Sequence, residues 1–527
     1  MNRLNRRAFL ATSLGALATT SSVLAQQSKR PNVLIIMADD MGFSDLGCYG
    51  GEIATPNIDG LAKNGIRFTQ FYNAARCCPT RAALLTGLYN HQAGVGDMVN
   101  SRPLPAYQGY LNQNCVTLAE AIKPAGYRAY MAGKWHVGEA HPHWPVDRGF
   151  DRYFGLISGA SSYFKVDAGR TMALDNEKWT PGPGHYMTDA FSEWAVKYID
   201  DHAKQNASQP FLMYVAYTSP HWPLHALPED IAKYKGKYRK GWDALRVERH
   251  KRQVEMGLVD AKWGLSPRGA GIPAWDSLTP EKQEDFDQRM SVYAAQIDRM
   301  DQGIGKILAA LRRTGQFDNT VILFLADNGG CHEELNRGEK ADALPGAAES
   351  YTSYGRPWAN ASNTPFRMYK HWTHEGGISS PLIAHWPAAL KKGGGWDRDP
   401  AHVTDLMATA LDAAGAAYPK THQGNAITPI EGRSLLPALQ GKKRQIRDAI
   451  FWEHEGARAV RQGRWKLVAE HNGPWQLYDM LADRCEAKDL IAAQPDRAAQ
   501  LEKMWNAWAE RCGVVQWSKL PKPGARA

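Results

Sequence analysis

At 527 residues the chain is too long for one compact core, so two domains, or one large α/β domain with an appendage, is the default organisation. Its 43% hydrophobic and 22% charged residues are an ordinary globular balance, and no apolar run beyond the first thirty residues is long enough to span a bilayer. The formal charge of +9 is spread along the chain without a Lys/Arg-rich block, which argues against nucleic acid as a partner.

The first 25 residues read as a targeting segment. Arg6 and Arg7 form a twin-arginine pair ahead of a short apolar stretch, broken by Ser and Thr, with cleavage expected after Ala25. The pattern predicts export of the folded protein, hence a periplasmic or secreted location. Loss of Arg3, Arg6 and Arg7 with the leader lowers the formal charge from +9 to +6. Seven cysteines, at 48, 77, 78, 115, 331, 485 and 512, show neither zinc-type CxxC pairs nor a dense disulfide framework. An oxidising compartment permits bridges, but an odd count leaves at least one thiol over.

After the leader, "RPNVLIIMADD" (30–40) is a continuous apolar strand ending in two aspartates, the mark of a strand buried on both faces. In "ATPNIDGLAKNGIRF" a helix opens with Thr55 as N-cap and Pro56 at its first position. "GYRAYMAGKWH" (126–136), "PFLMYVAYTSPH" (210–221) and "TVILFLADNGG" (320–330) repeat the layout of an apolar strand ending in polar residues, and "SSPLIAHWP" (379–387) is a further strand. Between them, 225–285 lacks periodicity and reads as loop and short helix. A long amphipathic helix over 286–313 sets Met290, Tyr293, Ile297, Met300, Ile304, Ile307, Leu308 and Leu311 on one stripe, and Gly315 ends it. Strands alternating with helices predict a doubly wound α/β domain over 30–435, whose ligand crevice lies beyond the carboxyl ends of the strands. The tail differs. "ARAVRQGRWKLVAEH" (457–471) reads as a hairpin around Gln462-Gly463, flanked by "AIFWEH" and "WQLYDM". A last helix from Pro495 to Arg511 completes a small antiparallel sheet plus helix over 440–515.

Four clusters carry chemistry. Asp39-Asp40 and Asp327-Asn328 are carboxylate-rich pairs at the ends of two buried strands; either alone reads as a helix cap, and together they supply hard oxygen ligands for Ca²⁺ or Mg²⁺ rather than zinc. Lys134, His136, His221 and Lys370 are scattered donors of the kind an oxyacid ester needs around its oxygens and its leaving atom. The fourth is Cys77, at the mouth of a helix that Pro79 and the run Ala82 to Leu85 predict. A helix N-terminus lowers a thiol's pKa, so a thiolate nucleophile and a buried structural cysteine stand as equal readings from the residues alone.

"CCPTRAALLTG" resembles the sulfatase signature C-x-P-S/T-R-x-x-x-x-T-G, and it comes with "NVLIIMADDMGFSDLGCYG" ahead of it. "AGKWHVG", "SPHWPLHA", "LFLADNGG" and "YKHWTHEGG" follow in family order. On these motifs the chain is similar, from about residue 30 to its end, to the bacterial arylsulfatases of the alkaline-phosphatase-like superfamily. The resemblance implies a large doubly wound mixed sheet flanked by helices, with the small C-terminal domain. It implies that a maturation enzyme converts Cys77 to formylglycine (3-oxoalanine), with Cys78 a small packing residue. Asp39, Asp40, Asp327 and Asn328, completed by residue 77, are then ligands to one divalent ion, Ca²⁺ in most of the family, with Mg²⁺ the alternative. One hydroxyl of the hydrated aldehyde attacks sulfur, His221 and Lys370 serve the leaving oxygen, His136 takes a proton from the second hydroxyl, and Arg81 and Lys134 hold the hydrate and the sulfate.

The implied function is hydrolysis of sulfate monoesters, aryl or carbohydrate. The runner-up is a hydrolase of phosphonate monoesters or phosphodiesters that uses the same groups, and a non-catalytic binding protein of the same fold is the third reading. Two positions depart from the family pattern. Thr80 stands where Ser is commoner, and Ser379-Ser380-Pro381 follows "EGGI" where Arg-Val-Pro is usual, which removes a cation. Trp144, Tyr153, Tyr163, Trp222, Trp242 and Trp263 lie in segments read as loop, where a ring of the substrate could stack or where they simply pack locally.

Overall fold

The continuous apolar segments become the centre of one sheet. In the computed structural model, which describes residues 30–524 except 339, 341, 342 and 391, the strands Thr320–Ala326, Asn32–Ala38, Phe211–Ala216 and Arg128–Gly133 lie side by side and parallel. The leader read at 1–25 lies outside the described residues. Every residue of the Asn32–Ala38, Phe211–Ala216 and Thr320–Ala326 strands is buried, as strands covered by helices on both faces require.

Among the described residues the sheet has 11 strands. Beyond Thr320–Ala326 come Ser379–His385 and then Ile66–Tyr72, each antiparallel to its predecessor, and the edge strand Gly395–Asp397. Ala401–His402 also pairs with Ile66–Tyr72. At the other side Arg152–Leu156 is parallel, and the short strands Met172–Leu174 and Glu177–Trp179 close the sheet as an antiparallel pair. The sheet is therefore mixed, as the resemblance implies. The strands at 66–72, 152–156 and 172–179 were not singled out in the sequence. They are short or carry polar residues at partly exposed positions, so they give no continuous apolar signal.

The long helix is Pro280–Arg313, and its predicted stripe is buried throughout. It begins six residues earlier than the apolar pattern does, because Thr279 accepts the Lys282 amide and Pro280 occupies the first turn. The helix Pro56–Asn64 forms as predicted, but Thr55 makes no cap bond to it. Asp301 of the long helix caps it instead, accepting the amides of Asn57 (3.1 Å) and Ile58 (2.8 Å). A cap supplied from 244 residues away has no local signature. In the segment read as loop, 225–285, the helix Gly241–Glu255 spans 15 residues, and its mean apolar content is too low for periodicity to reveal it.

The C-terminal strands Ala449–His454, Ala457–Gln462, Trp465–Ala469 and Gln476–Asp479 form a four-stranded antiparallel sheet backed by the helix Pro495–Cys512. Trp452, Val468, Tyr478 and Met480 of this sheet region share one apolar cluster with Tyr72, Ala75 and Ile378 of the large domain. A buried charge network fastens the same contact. Lys466 Nζ lies 2.9 Å from Glu375 and 2.8 Å from Glu486, and Arg484 donates to Glu375 (2.9 Å) and to Ser379 Oγ (2.8 Å). Burial raises the Glu375 carboxyl, but Lys466 and Arg484 outweigh it and hold it at about 2, below its ordinary 4.5; Glu486, sharing the same lysine, is raised by burial. A depressed carboxyl stabilises the fold above its unfolded pKa, and that contribution is lost as pH falls from about 4.5 toward 2. Lys466→Met should therefore lower unfolding free energy at neutral pH by about 3–5 kcal/mol. Chemical denaturation at stepped pH checks this, and the gap to wild type should narrow below pH 4.5.

Candidate active site

The ends of these strands fall on one edge. Ala38 pairs with Ala326, and Met37 and Gly133 both stand opposite Ala216, so the chain leaves all four parallel strands at nearly one level. Just beyond lie Asp39-Asp40, Asp327-Asn328, His221, and Lys134 with His136. The strand Ile66–Tyr72, two antiparallel steps from Thr320–Ala326, ends on the same edge, and the helix Cys77–Thr86 starts there. Lys370 arrives in the segment before Ser379–His385. Close approach is built in at Gly133, which has φ +122°; a Cβ there would meet the Ala216 carbonyl oxygen at 2.0 Å.

Three carboxylates and three cations are buried together. Lys134 Nζ donates to Asp39 Oδ2 at 2.6 Å. Arg81 donates to Asp327 Oδ2 (2.9 Å) and to the Lys134 carbonyl (3.0 Å), with Asp39 3.7 Å away. Lys370 Nζ donates to Asp40 (2.9 Å) and lies 3.3 Å from His221 Nε2. Asn328 Nδ2 donates to Asp40 Oδ1 at 2.7 Å. Burial pushes Asp39 up, yet Lys134, with His221 and Arg81, holds its carboxyl at about 2. Burial and the Asp39 charge together push Asp327 well above the carboxylate range despite Arg81.

Two oxygens in this set, Asp39 Oδ1 and Asn328 Oδ1, are buried with no hydrogen-bond partner. An unsatisfied buried acceptor costs about 1–3 kcal/mol, so the site fits an added cation. Asp39, Asp40, Asp327 and Asn328 offer oxygen donors alone, the set a hard divalent ion such as Ca²⁺ or Mg²⁺ takes.

The two adjacent thiols face one histidine. His136 Nδ1 is 3.5 Å from Cys77 Sγ and 3.3 Å from Cys78 Sγ. Cys78 is fully buried in the core, as a packing residue would be, and its hydrogen bond, with Lys134 and His136, draws the Cys77 thiol well below its ordinary range against the cost of burial. Burial, helped by Lys134, lowers the His136 pKa, which leaves a neutral ring able to accept a proton. Gly159 backs that ring, and a Cβ there would meet His136 Nε2 at 2.3 Å. His221 Nδ1 bonds the Trp222 carbonyl at 2.6 Å, which turns Nε2 toward Lys370 and Asp40. All the residues singled out in the sequence, Asp39, Asp40, Cys77, Arg81, Lys134, His136, His221, Asp327, Asn328 and Lys370, come together here and are buried.

The family model Sulfatase matches residues 31–416. The chain belongs to the sulfatase family. It is an enzyme of sulfate-ester hydrolysis, and a second model, N-sulphoglucosamine sulphohydrolase, C-terminal, matches 366–510. An uncharacterized sulfatase of Schizosaccharomyces pombe is 34% identical over 93% of this chain and 95% of its own length. An arylsulfatase of Klebsiella aerogenes is also 34% identical, over 80% of this chain and 95% of its own. The crystal structure of Ps i-CgsB superimposes with a TM-score of 0.69 at 25% identity, covering 93% of this chain and 94% of that one.

Sequence reasoning passed over a second layer of this sulfatase site. Asn73 pins the turn before Cys77, since its Oδ1 accepts the Ala75 amide (2.7 Å), its Nδ2 donates to Ser380 Oγ (2.6 Å), and Trp452 Nε1 donates to its carbonyl (2.8 Å). The departure at Ser379-Ser380 is thereby explained: Ser380 holds Asn73, and Ser379 receives Arg484, so a buried guanidinium reaches this place from the C-terminal region. Of the aromatic residues noted, Tyr153, Tyr163, Trp144 and Trp242 are buried in the core, which leaves Trp222 and Trp263 partly exposed. Gly159→Ala should displace His136 and reduce turnover of 4-nitrophenyl sulfate by about 10²-fold, while the melting temperature stays within a few degrees. Steady-state kinetics beside a thermal melt checks this.

Proposed function

We propose that the chain hydrolyses sulfate monoesters in the manner of the arylsulfatases, after Cys77 is converted to formylglycine by a maturation enzyme and with one divalent ion, Ca²⁺ or Mg²⁺, held by Asp39, Asp40, Asp327 and Asn328. The observation that carries this reading is the convergence of Cys77, Arg81, Lys134, His136, His221 and Lys370 on the oxygen set with its two unpartnered atoms. The twin-arginine leader supports a periplasmic or secreted place of work.

Bound, the ion and the hydrated aldehyde supply Lewis acidity and an oxygen nucleophile. The side chains do the rest. Cys77 Sγ stands where an oxygen of that hydrate belongs, so His136 Nδ1, 3.5 Å away and neutral, is placed to take its proton. Arg81 and Lys134 hold positive charge beside residue 77, where the sulfate oxygens must sit. Across the site, Lys370 Nζ and His221 Nε2, 3.3 Å apart, present the proton that the departing oxygen takes as its bond to sulfur breaks.

Peptide mass spectrometry across residues 77–81 of active protein should find Cys77 without its sulfur, as an aldehyde; a thiol there in fully active protein would overturn the reading. Elemental analysis should find one divalent ion per chain, and Asp327→Ala should lose it together with activity. A clear preference for the matched phosphonate monoester over 4-nitrophenyl sulfate, read as kcat/KM, would shift the assignment to the phosphonate hydrolases.

A further inference from the structure

Three catalytic residues each carry a chain neighbour that points to the same place. Arg76 precedes Cys77, Trp222 follows His221, and His371 follows Lys370. Arg76 Nη1 lies 2.9 Å from His371 Nδ1 and 3.2 Å from Glu455, and its Nη2 lies 3.5 Å from Glu333. Trp222 Nε1 donates to the other oxygen of Glu333 at 2.6 Å, and His371 Nε2 lies 2.9 Å from the other oxygen of Glu455. Beneath them His454 is fully buried with neither ring nitrogen hydrogen-bonded, its ring 5.1 Å from that of His371. The result is a polar cluster of six residues from five separate segments, in which Arg76, His371 and Glu455 close a ring that Glu333 and Trp222 extend.

Apart from His454, which floors it, this ring is the part-exposed layer outside the buried catalytic groups. Cys77 is 2% exposed and Lys370 2%, whereas the side chains of Arg76, His371, Glu455 and Glu333 are 18%, 27%, 20% and 30% exposed. An ester whose sulfur sits at residue 77 directs its leaving group past His221 and Lys370, and so into the ring. His371 holds a backbone φ of +91°, fixed by its amide bond to the Ala75 carbonyl, and Glu455 reaches the cluster from the two-residue hairpin loop Glu455-Gly456, whose turn sets its φ of +47°.

Resting on the sulfatase reading above, we infer that the ring Arg76, Trp222, Glu333, His371, His454 and Glu455 is the leaving-group subsite, and that it takes a neutral, polyhydroxylated group, a sugar bearing a single sulfate. Two carboxylates and the histidine nitrogens offer acceptors and donors to hydroxyls, and the partly exposed Trp222 indole, held by Glu333, stands beside them for the apolar face of a sugar ring. The one guanidinium is already shared between Glu333 and Glu455. The ring therefore offers no free cation to a second sulfate or a carboxylate, and its two glutamates repel one. An unsubstituted aryl group would desolvate these charges without replacing any hydrogen bond. His371, His454 and Glu455 also have ligand atoms within 4.8 Å of one another, as a metal site would. Arg76 already brings positive charge to both His371 and Glu455, which disfavours a cation there.

The test uses the mature, aldehyde-bearing enzyme with 4-nitrophenyl sulfate, glucose and galactose carrying one sulfate at each hydroxyl in turn, and the same sugars carrying two. Wild type should favour a monosulfated over a disulfated hexose by about tenfold or more in kcat/KM. Glu455→Gln and, independently, Glu333→Gln should lower the ratio of sugar-sulfate to nitrophenyl-sulfate kcat/KM by about tenfold or more, the loss expected for a hydrogen bond to a charged acceptor. The subsite is overturned if both ratios stay unchanged, if wild type cleaves nitrophenyl sulfate and no monosulfated sugar, or if disulfated sugars are preferred. Absence of sulfate release from every ester, nitrophenyl sulfate included, with the aldehyde verified by mass, would instead sink the hydrolase reading beneath it.

Discussion

The constraint on which the rest depends is the burial of three carboxylates, Asp39, Asp40 and Asp327, at one edge of a sheet. Each would cost several kcal/mol if left alone in a low-dielectric interior. Arg81, Lys134 and Lys370 answer them one for one, through contacts of 2.6–2.9 Å. None of these cations lies on the strands that lead into the acids, Asn32–Ala38 and Thr320–Ala326. They come from a helix, from a different strand end and from a loop. The order of strands in the sheet is thus tied to the electrostatics of the site: Arg128–Gly133 must lie near Asn32–Ala38 for Lys134 to reach Asp39, and it does so across the single intervening strand Phe211–Ala216.

The small C-terminal sheet belongs to this arrangement. Trp452 donates to the carbonyl of Asn73, the residue that shapes the turn into the Cys77 helix, and Glu455 holds Arg76, the residue directly before Cys77. Lys466 and Arg484 neutralise Glu375, a few residues beyond Lys370. Segments separated by more than three hundred residues therefore share the work of placing residue 77. A truncation before the last strands would leave Glu375 buried without its cations and the Asn73 carbonyl without its indole donor, which removes stability and site geometry at once.

What was legible in the sequence follows from how each signal is encoded. Fully buried parallel strands write themselves as unbroken apolar runs, so the four central strands and the polar residues at their ends could be read directly. The long helix was legible by its stripe, but its start was not, because Thr279 and Pro280 act before the stripe begins. The capping of Pro56–Asn64 by Asp301 was illegible in principle, since the partner lies in another element. The same holds for the Ser379-Ser380 departure: the missing cation was visible, and its replacement by Arg484 was not, because it depends on a contact across 105 residues. The motifs pointed to the candidate site residues, whereas Arg76, Glu333 and Glu455, which form no motif with one another, became visible only when folding brought them together.

The backbone at this edge departs from ordinary conformations where the chemistry is densest. Asp40, Ala75, His136 and His371, none of them glycine, hold φ of 65°, 69°, 57° and 91°. Each such residue costs on the order of 1–3 kcal/mol, and it persists only where its surroundings over-determine it. Here they do: the Asp40 amide donates to Asp327, the Ala75 amide to Asn73, the His136 amide to the Ile157 carbonyl, and the His371 amide to the Ala75 carbonyl. The last bond links the turn that precedes Cys77 to the residue that follows Lys370. A shift of either segment would be transmitted to the other, so residue 77 and Lys370 move as one unit. Gly159 belongs to the same tightly fixed edge, because a Cβ there would meet His136 Nε2 at 2.3 Å.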